Sequence, residues 1–362
     1  MTNLFADNFH SWLQERLHRS YTLLLAAGFE DRARASVLYI GEKREITNAH
    51  AIILDYKNPR DNEPNRSKIL KIANNLFSSR EILSSDNLHA VISHCRQRTN
   101  NGDILLVDIS GMDRILIFRI LKCLILNNIS FNIIYTEAEY YYPRKSFFTQ
   151  LKQIYDSSEI RLLNKYQELE KSEVIYSYDC IVFFPREFLG FPEPGRPAVL
   201  IAFLTFKRSR LQAILRAFEF SNRILIVSKP VRADLYWRKE LLELINYDLI
   251  KNRTAEKKEL ITLDPFLTCK ELESYIEEPS YRKSNIFLAP LGSKMQTVGA
   301  FLFWQLHPEI SVIFSKPKKY FKKKYSLAWK DTFLISHEKL ITFLKTKRAD
   351  FEGINSECNY PR

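Results

Sequence analysis

Runs of apolar residues alternate with amphipathic segments along this chain. Residues 103–109 are apolar on both faces, which is typical of a parallel strand covered by helices on each side. A Ser-Gly turn follows, then apolar residues at helical spacing from Met112 to Ile125, and a second apolar strand at 130–136. The same outline of strand, glycine turn, apolar helix and strand returns at 285–317.

Further strands are predicted in both parts of the chain, and each is followed by a predicted helix. In the first part they cover residues 21–27 and 49–56, and in the second part residues 198–206 and 223–230. Strands that alternate with helices indicate an α/β protein with mostly parallel sheets. Because the elements recur in the same order, we predict two Rossmann-like halves related by a diverged internal duplication.

The recurring elements also set the predicted domain boundaries. A chain of 362 residues is long for a single hydrophobic core, so two domains are expected. Within the first half, residues 80–98 are predicted to hold a helix. The predicted parts are a first half at 1–143, a polar helical connector at 144–179, a second half at 180–335, and a C-terminal helix with a tail at 336–362.

The composition of the chain indicates the charge of its partner and its location in the cell. The net charge of +12 and the pI near 9.3 favour an anionic partner such as a nucleotide, a nucleic acid or an acidic protein. Five cysteines without a CxxC pair fit reduced thiols. The N-terminus lacks the pattern of a signal peptide, and no apolar run reaches about 18 residues. We therefore expect a cytoplasmic protein without a membrane partner.

Carboxylates follow three predicted strands of the first half. Asp55 and Asp108 each end a strand, and Glu137 follows a third. Because ligands bind beyond the carboxyl ends of parallel strands, these side chains are the candidate catalytic residues, and together they suggest a Mg²⁺ cofactor. The alternative is that the same carboxylates cap helices or pair with nearby arginines.

The two glycine turns are candidate phosphate sites. Backbone amides and the dipole at a helix N-terminus favour an anion, and serine hydroxyls or basic side chains add further contacts. Neither turn carries GxGxxG or GxxxxGK[ST], so dinucleotide and P-loop sites are poor explanations. The alternative is an ordinary connection between a strand and a helix. The candidate ligand-binding residues are Ser110, Gly111, Arg114, Gly292, Ser293 and Lys294.

These two turns carry a resemblance to CARF and SAVED domains, which sense cyclic or short linear oligonucleotides in prokaryotic antiviral systems. The ligand-binding turn of that family reads roughly D-x-[ST]-G-G-[TS]-K-x-M. Residues 108–111 (DISG) resemble its beginning, and residues 292–295 (GSKM) resemble its end. Met-Asp-Arg replaces the Gly-Thr-Lys part in the first turn, and Pro-Leu replaces the acidic start in the second. The resemblance implies tandem Rossmann-like domains with Ser110, Gly111, Ser293 and Lys294 at the ligand.

A lysine-rich segment at 316–324 is a candidate nucleic-acid contact. Lysines neutralise phosphates and release counterions, and interleaved aromatic side chains stack on bases. The basic helix predicted after residue 206 could extend this surface. The alternatives are a solvated loop and a face that docks an acidic protein. The candidate nucleic-acid-binding residues are Lys318, Lys319, Tyr320, Lys322, Lys323 and Lys324.

Three functional hypotheses follow from these features. The first is a sensor or regulatory subunit of a prokaryotic antiphage defence system, which binds a nucleotide or nucleic acid between its halves and acts through a partner effector protein. The second is a Mg²⁺-dependent phosphodiesterase or nuclease that uses Asp55, Asp108 and Glu137. The third is a nucleic-acid-binding assembly subunit without a small ligand. Enzymatic activity is expected only under the second hypothesis.

Overall fold

The protein forms two compact α/β units. The computed structural model describes residues 6–43, 46, 48–155, 180–318 and 325–357. The first unit contains the described residues up to Tyr140 together with those from Ser326 onward, and the second contains Tyr141–Tyr325. The chain thus leaves the first unit once, completes the second, and returns.

The first unit is built on a seven-stranded sheet in the order β1-β16-β6-β5-β2-β3-β4. Strands β2 to β6 are mutually parallel, whereas β16 runs antiparallel to both β6 and β1. The strands are β1 (Asp7–Asn8), β2 (Tyr21–Ala26), β3 (Ala49–Asp55), β4 (Ser79–Ser84), β5 (Ile104–Asp108), β6 (Asn132–Thr136) and β16 (Thr332–Ile335).

Helices connect the parallel strands of this sheet. Every residue of β2 is buried, because the strand lies between β3 and β5 and is apolar on both faces. The helices are α1 (Phe9–Gln14), α2 (Ala35–Gly41), α3 (Asn65–Leu76), α4 (Leu88–Asn100), α5 (Arg114–Leu126) and α12 (His337–Glu357).

The second unit is built on a five-stranded parallel sheet in the order β11-β10-β9-β12-β13. A separate antiparallel pair joins β14 to β8. The strands are β8 (Cys180–Phe183), β9 (Ala198–Phe203), β10 (Asn222–Lys229), β11 (Ala255–Ile261), β12 (Asn285–Ala289), β13 (Ser311–Val312) and β14 (Phe314–Pro317). Two short strands, β7 (Tyr140–Tyr141) and β15 (Ser326–Leu327), occur where the chain passes between the units.

The helices of the second unit follow its parallel strands, apart from α6, which precedes them in the chain. Helix α6 packs against α8 through the buried side chains of Phe147, Leu151 and Leu241. The helices are α6 (Lys145–Tyr155), α7 (Ser209–Ala217), α8 (Trp237–Ile245), α9 (Tyr247–Ile250), α10 (Pro265–Glu277) and α11 (Lys294–Leu306).

The parallel strands of the two units have the same spatial order. The first sheet contains β6-β5-β2-β3-β4 and the second contains β13-β12-β9-β10-β11. When these five strands are numbered along the chain within each unit, both runs read 5-4-1-2-3: the first strand is central, the second and third lie on one side of it, and the fourth and fifth lie on the other. This confirms the predicted α/β class with Rossmann-like, mostly parallel sheets.

Three expectations differ from the structure or lie outside it. Residues 80–98 hold the predicted helix from Leu88 onward, but their first part is strand β4 (Ser79–Ser84), which pairs with β3. Residues 332–335 are predicted in the second half, whereas β16 pairs with β6 in the first sheet. Of the predicted connector, Lys145–Tyr155 is helical and residues 156–179 lie outside the described residues.

Candidate functional site

Each sheet has one point at which the strand order reverses. In the first sheet it lies between β2 and β5, and in the second it lies between β9 and β12. Ligands of open α/β sheets bind in the crevice beyond the carboxyl ends of the strands at this point. The predicted glycine turns follow β5 and β12 directly, so both lie at these reversal points.

The turn of the first unit is closed by contact between two glycines. A Cβ atom on Gly28 would lie 2.6 Å from the carbonyl oxygen of Gly111. A Cβ atom on Gly111 would lie 2.3 Å from the carbonyl oxygen of Ala26. The absence of side chains at both positions therefore lets the segments after β2 and β5 pack directly against each other.

The polar side chains of Asp108 and Ser110, at the start of this turn, form hydrogen bonds within the first unit. Asp108 is fully buried, where one carboxylate oxygen accepts from the amide of Ser110 at 2.7 Å and the other accepts from the hydroxyl of Ser36. The hydroxyl oxygen of Ser110 accepts from the amide of Thr136 at 2.8 Å. Ser110 is also fully buried, so its side chain bridges β5 and β6 instead of lining an open crevice.

The helix that follows the first turn begins with a negative charge. The carboxylate of Asp113 caps α5 by accepting from the amide of Leu116 at 2.9 Å. The hydroxyl of Tyr56 accepts from the amide of Asp113 at 2.7 Å and donates to the carbonyl of Gly111 at 3.1 Å. Arg114 is the first residue of α5. The carboxylate occupies the place where the helix dipole would otherwise favour an anionic ligand.

The helix that follows the second turn, α11, has a neutral N-cap residue, Ser293. The hydroxyl oxygen of Ser293 accepts from the amide of Gln296 at 3.0 Å, and the Gln296 side chain accepts from the amide of Ser293 at 2.9 Å. This reciprocal pair is a capping box. The Ser293 hydroxyl donates its one hydrogen to the carbonyl of Thr262 at 2.6 Å. The hydroxyl hydrogen and the backbone amide of Ser293 therefore both have partners within the protein.

Gln296 shapes this second turn, and the sequence analysis missed it. The side chain is fully buried, and its Oε1 also accepts from the hydroxyl of Ser228 at the end of β10, at 2.9 Å. Its Nε2 donates to the carbonyl of Ile261 at the end of β11, at 3.1 Å. A Cβ atom on Gly292 would lie 2.5 Å from Oε1. The Ser-x-x-Gln spacing from Ser293 was the sequence signal that could have identified it.

The second turn combines the features that favour an anion. Ser293 adds no charge at the N-terminus of α11, and Lys294 is the first residue of that helix. The helix has 13 residues, so its dipole is fully developed at the turn. The two units thus share a basic residue at the first helical position, Arg114 or Lys294, but differ in the charge of the cap.

The basic helix after β9 is not the exposed surface that the sequence suggests. Arg208 and Arg210 are 6% and 5% exposed. Arg208 forms an ion pair with Asp248 at 2.5 Å, and Arg210 donates to the hydroxyl of Tyr325 at 2.9 Å. The expectation that this helix extends a nucleic-acid surface is therefore wrong for these two arginines, because their guanidinium groups bind within the second unit.

The candidate catalytic carboxylates are separated along the first sheet. Asp55 ends β3 and forms a two-pronged ion pair with Arg66, with N–O distances of 2.8 and 2.7 Å. Asp108 ends β5, and strand β2 lies between β3 and β5, so the backbones are about 10 Å apart. Glu137 is buried beyond β6, where its backbone pairs with Lys330 and Asp331. Asp55, Asp108 and Glu137 thus have different bonding partners and lie in three separate environments.

No metal centre is found in the described part of the chain. Its histidines, cysteines, aspartates and glutamates include no group of three or more arranged to hold a metal ion. The bidentate bond to Arg66 also occupies both oxygens of Asp55. Mg²⁺ prefers several converging oxygen ligands, and the geometry of Asp55, Asp108 and Glu137 does not supply them together.

Of the six predicted nucleic-acid-binding residues, only Lys318 belongs to the described residues. It is exposed just after β14, as is Lys316 within that strand. The predicted contacts from Lys319, Tyr320, Lys322, Lys323 and Lys324 lie outside the described residues.

A half-buried histidine in the second unit has a perturbed pKa. His307 follows α11, and its ring nitrogens lie 3.8 Å from a carboxylate oxygen of Glu273 and 3.2 Å from one of Glu309. Burial alone lowers the pKa of His307, but the two carboxylates outweigh burial and raise the pKa above its ordinary value. The group joins the end of α11 to α10 and is distant in sequence from the glycine turn.

Together these observations define a protein of two Rossmann-like units, each with a glycine turn at its reversal point. No family model matches the chain, and no curated protein matches it. Among solved structures, one similar chain is a type III CRISPR defence DNA nuclease activated by cyclic oligoadenylate. That match has 9% identity and a TM-score of 0.44, and it covers 79% of this chain and 64% of the nuclease. The chain thus spans less than two thirds of the nuclease's length.

Two other solved structures are also similar. One is the cytoplasmic domain of a prokaryotic cation chloride cotransporter, with 9% identity, a TM-score of 0.26, and coverage of 83% of this chain and 96% of that domain. The other is a universal stress protein from Archaeoglobus fulgidus DSM 4304, with 9% identity, a TM-score of 0.23, and coverage of 83% and 98%. At these values the comparisons identify no family. Within the described residues, every helix is too short or too polar to cross a membrane.

Proposed function

We propose that this protein is a ligand-sensing subunit of a prokaryotic antiviral defence system. It binds a phosphate-bearing nucleotide or short oligonucleotide at the glycine turn of its second unit and acts through a partner effector protein. The observation that carries the proposal is the neutral capping box at Ser293, with Lys294 beside it, at the reversal point of the second sheet. The resemblance of residues 108–111 and 292–295 to the CARF motif supports the ligand class.

The second turn has three properties that suit a phosphate group. The dipole of α11 places partial positive charge at the turn, and the ammonium group of Lys294 adds a full one. The Ser293 cap itself is neutral, unlike the Asp113 cap of α5.

The first turn is the weaker candidate for an anion. Asp113 places a carboxylate at the N-terminus of α5, and Tyr56 covers the amide of that residue. Ser110 and Gly111, which resemble ligand contacts in the sequence, are used to join β5 to β6 and to pack against Gly28. We therefore assign ligand binding to the second unit and a structural role to the first turn.

The test uses the matched pair Lys294→Ala and Arg114→Ala, which remove the basic residue at the first position of α11 and of α5. Isothermal titration calorimetry would measure binding of cyclic and linear oligoadenylates, AMP and inorganic phosphate. We expect one of the nucleotides to bind and Lys294→Ala to weaken it about tenfold or more, as the loss of a charge-assisted contact does. Arg114→Ala should bind as the wild type does.

Two results would overturn this assignment. Loss of binding in Arg114→Ala with normal binding in Lys294→Ala would move the site to the first turn. Failure of the wild-type protein to bind any of the probes at millimolar concentration would remove the sensor function itself. Far-ultraviolet circular dichroism of each variant would establish that the fold is retained.

A further inference from the structure

A buried arginine of the second unit holds the segment at which the chain enters that unit. Arg238 lies in the first turn of α8 and is 7% exposed. Its guanidinium donates to three successive backbone carbonyls, those of Tyr141, Tyr142 and Pro143, at 3.3, 3.1 and 3.0 Å. Guanidinium geometry allows one rigid group to fix all three.

The same guanidinium also packs against the turn that follows β9. Its central carbon lies 4.3 Å from the ring centre of Phe206, and 5.4 Å from the ring centres of both Tyr141 and Trp237. Phe206 belongs to residues 204–208, which we call the 204–208 turn, between β9 and α7. This turn lies at the reversal point of the second sheet, where the neighbouring strand β12 leads into the proposed ligand turn.

A second set of contacts joins the 204–208 turn to the residue at which the chain leaves the unit. The ammonium group of Lys207 lies 3.2 Å from the ring centre of Tyr325. Arg210, in the first turn of α7, donates to the Tyr325 hydroxyl at 2.9 Å. The backbone carbonyl of Tyr325 in turn accepts from the amide of Tyr142 at 3.0 Å. The beginning of the unit, at Tyr142, is thus hydrogen-bonded to its last residue, Tyr325.

Arg238 has no ion pair among the described residues, and its partners are the three carbonyls and the aromatic rings. Burial accordingly lowers the pKa of Arg238 to about 10, so the group remains charged at neutral pH. A buried charge that loses its hydrogen bonds is costly. The 141–143 segment therefore cannot leave the guanidinium without a compensating movement of the residues that pack against it.

We propose that Arg238 is a positioning residue that couples the 204–208 turn to the 141–143 segment. This inference rests on the proposed function, because it makes Arg238 the route by which ligand binding at the reversal point reaches the residues where the chain enters and leaves the second unit. A ligand that displaces the 204–208 turn moves Phe206 from the guanidinium, and Arg238 transmits that change to the three carbonyls.

The coupling is tested first without a ligand, by hydrogen–deuterium exchange of a peptide that covers residues 140–144. Phe206→Ala removes the aromatic ring that packs against the guanidinium of Arg238. We expect the exchange rate of the Tyr142 amide to rise about tenfold, because a desolvated cation–π contact is lost. In an Arg238→Lys background the same change should add little. Lys239→Met removes the neighbouring cation of α8, whose ion-pair partner is Glu259, and should leave the exchange unaltered.

Two results of this first experiment would overturn the inference. One is unchanged exchange of the 140–144 peptide in Phe206→Ala. The other is a Phe206→Ala effect that is just as large in the Arg238→Lys background. We expect both variants to remain folded. Arg238→Lys retains the positive charge, and Phe206 lies outside every strand and helix of the described residues.

A second experiment adds cyclic and linear oligoadenylates as probes. In the wild-type protein, binding should change exchange in both the 204–208 and the 140–144 peptides. In Arg238→Lys, the change at 204–208 should remain, and the change at 140–144 should be reduced to the part that the contact between Lys207 and Tyr325 carries; an undiminished change at 140–144 would contradict the inference. If no probe binds, the proposed function fails, whereas the Phe206→Ala result still decides whether Arg238 couples the two segments.

Discussion

The contact between two glycines in the first unit predicts a large effect from adding one methyl group. Gly111→Ala places a Cβ atom 2.3 Å from the carbonyl oxygen of Ala26 and 3.1 Å from the Cβ of Ala33. Ala26 ends the central strand β2, which is bonded on both sides to β3 and β5. The strand therefore cannot move away from the new methyl group without disturbing the sheet.

The size of the effect follows from this distance. An ordinary contact between carbon and oxygen is about 3.3 Å, so the turn must shift by about 1 Å. Overpacking of this kind costs about 1–3 kcal/mol, and replacing glycine stabilises by about 0.4–1 kcal/mol through the unfolded chain. The difference between these two effects is a loss of about 1–2 kcal/mol in the free energy of unfolding, which corresponds to about 2–8 °C in Tm for a unit of this size.

Differential scanning calorimetry of the variant and the wild type would measure this loss. If Gly111→Ala were as stable as the wild type, the contact between the segments after β2 and β5 would not be as close as described.

Two further predictions concern charged groups. Arg66→Met removes both hydrogen bonds to the carboxylate of Asp55 and should lower the free energy of unfolding, measured by urea titration, by about 1–3 kcal/mol. Arg66→Lys is the comparison, because lysine keeps the charge without the two-pronged geometry. If both variants lost the same free energy of unfolding, the paired geometry would be unimportant. Because Glu273 and Glu309 outweigh burial and raise the pKa of His307, its stabilising contribution is complete below the unfolded pKa of about 6.5 and is lost as the pH rises through the higher folded pKa. The stability difference between the wild type and His307→Gln should therefore be larger at about pH 5.5 than at about pH 8.5, and the opposite trend would contradict the assignment.

The central strands could be predicted from the sequence because burial on both faces leaves a plain local pattern. The predicted strand at 21–27 is observed as Tyr21–Ala26, and the predicted strand at 49–56 is observed as Ala49–Asp55. The positions of the two glycine turns after β5 and β12 could be read in the same way. Short-range apolar patterns thus determined which segments form the parallel core of each unit.

Edge strands and distant pairings could not be predicted from such patterns. Strand β4 alternates half-buried and exposed residues, and β11 carries four charged residues in succession, so neither has the apolar run of a central strand. Strand β16 pairs with β6, which lies about two hundred positions earlier in the chain, as in the pairing of Leu334 with Ile134. A local pattern contains no information about which distant strand completes a sheet.

The residues of the candidate site were predicted by type, but their partners were not. Ser110 and Ser293 were both expected at a ligand, and the structure shows that their hydroxyls bond to Thr136 and Thr262 respectively. Gln296 was missed, although its side-chain amide joins the ends of β10 and β11 and the turn after β12. A motif gives residue types at a turn, whereas the use of each side chain depends on the strands that the fold brings beside it.

The charge of the helix cap in the second unit is the most direct test of where the ligand binds. Ser293→Asp and Ser293→Asn both retain a good N-cap, but only the aspartate adds the negative charge that Asp113 supplies in the first unit. The measurement is the Kd of both variants for the oligoadenylate that binds the wild type most tightly. We predict that Ser293→Asp weakens binding at least about tenfold relative to Ser293→Asn. Equal affinity of the two variants would contradict an anion site at the second turn.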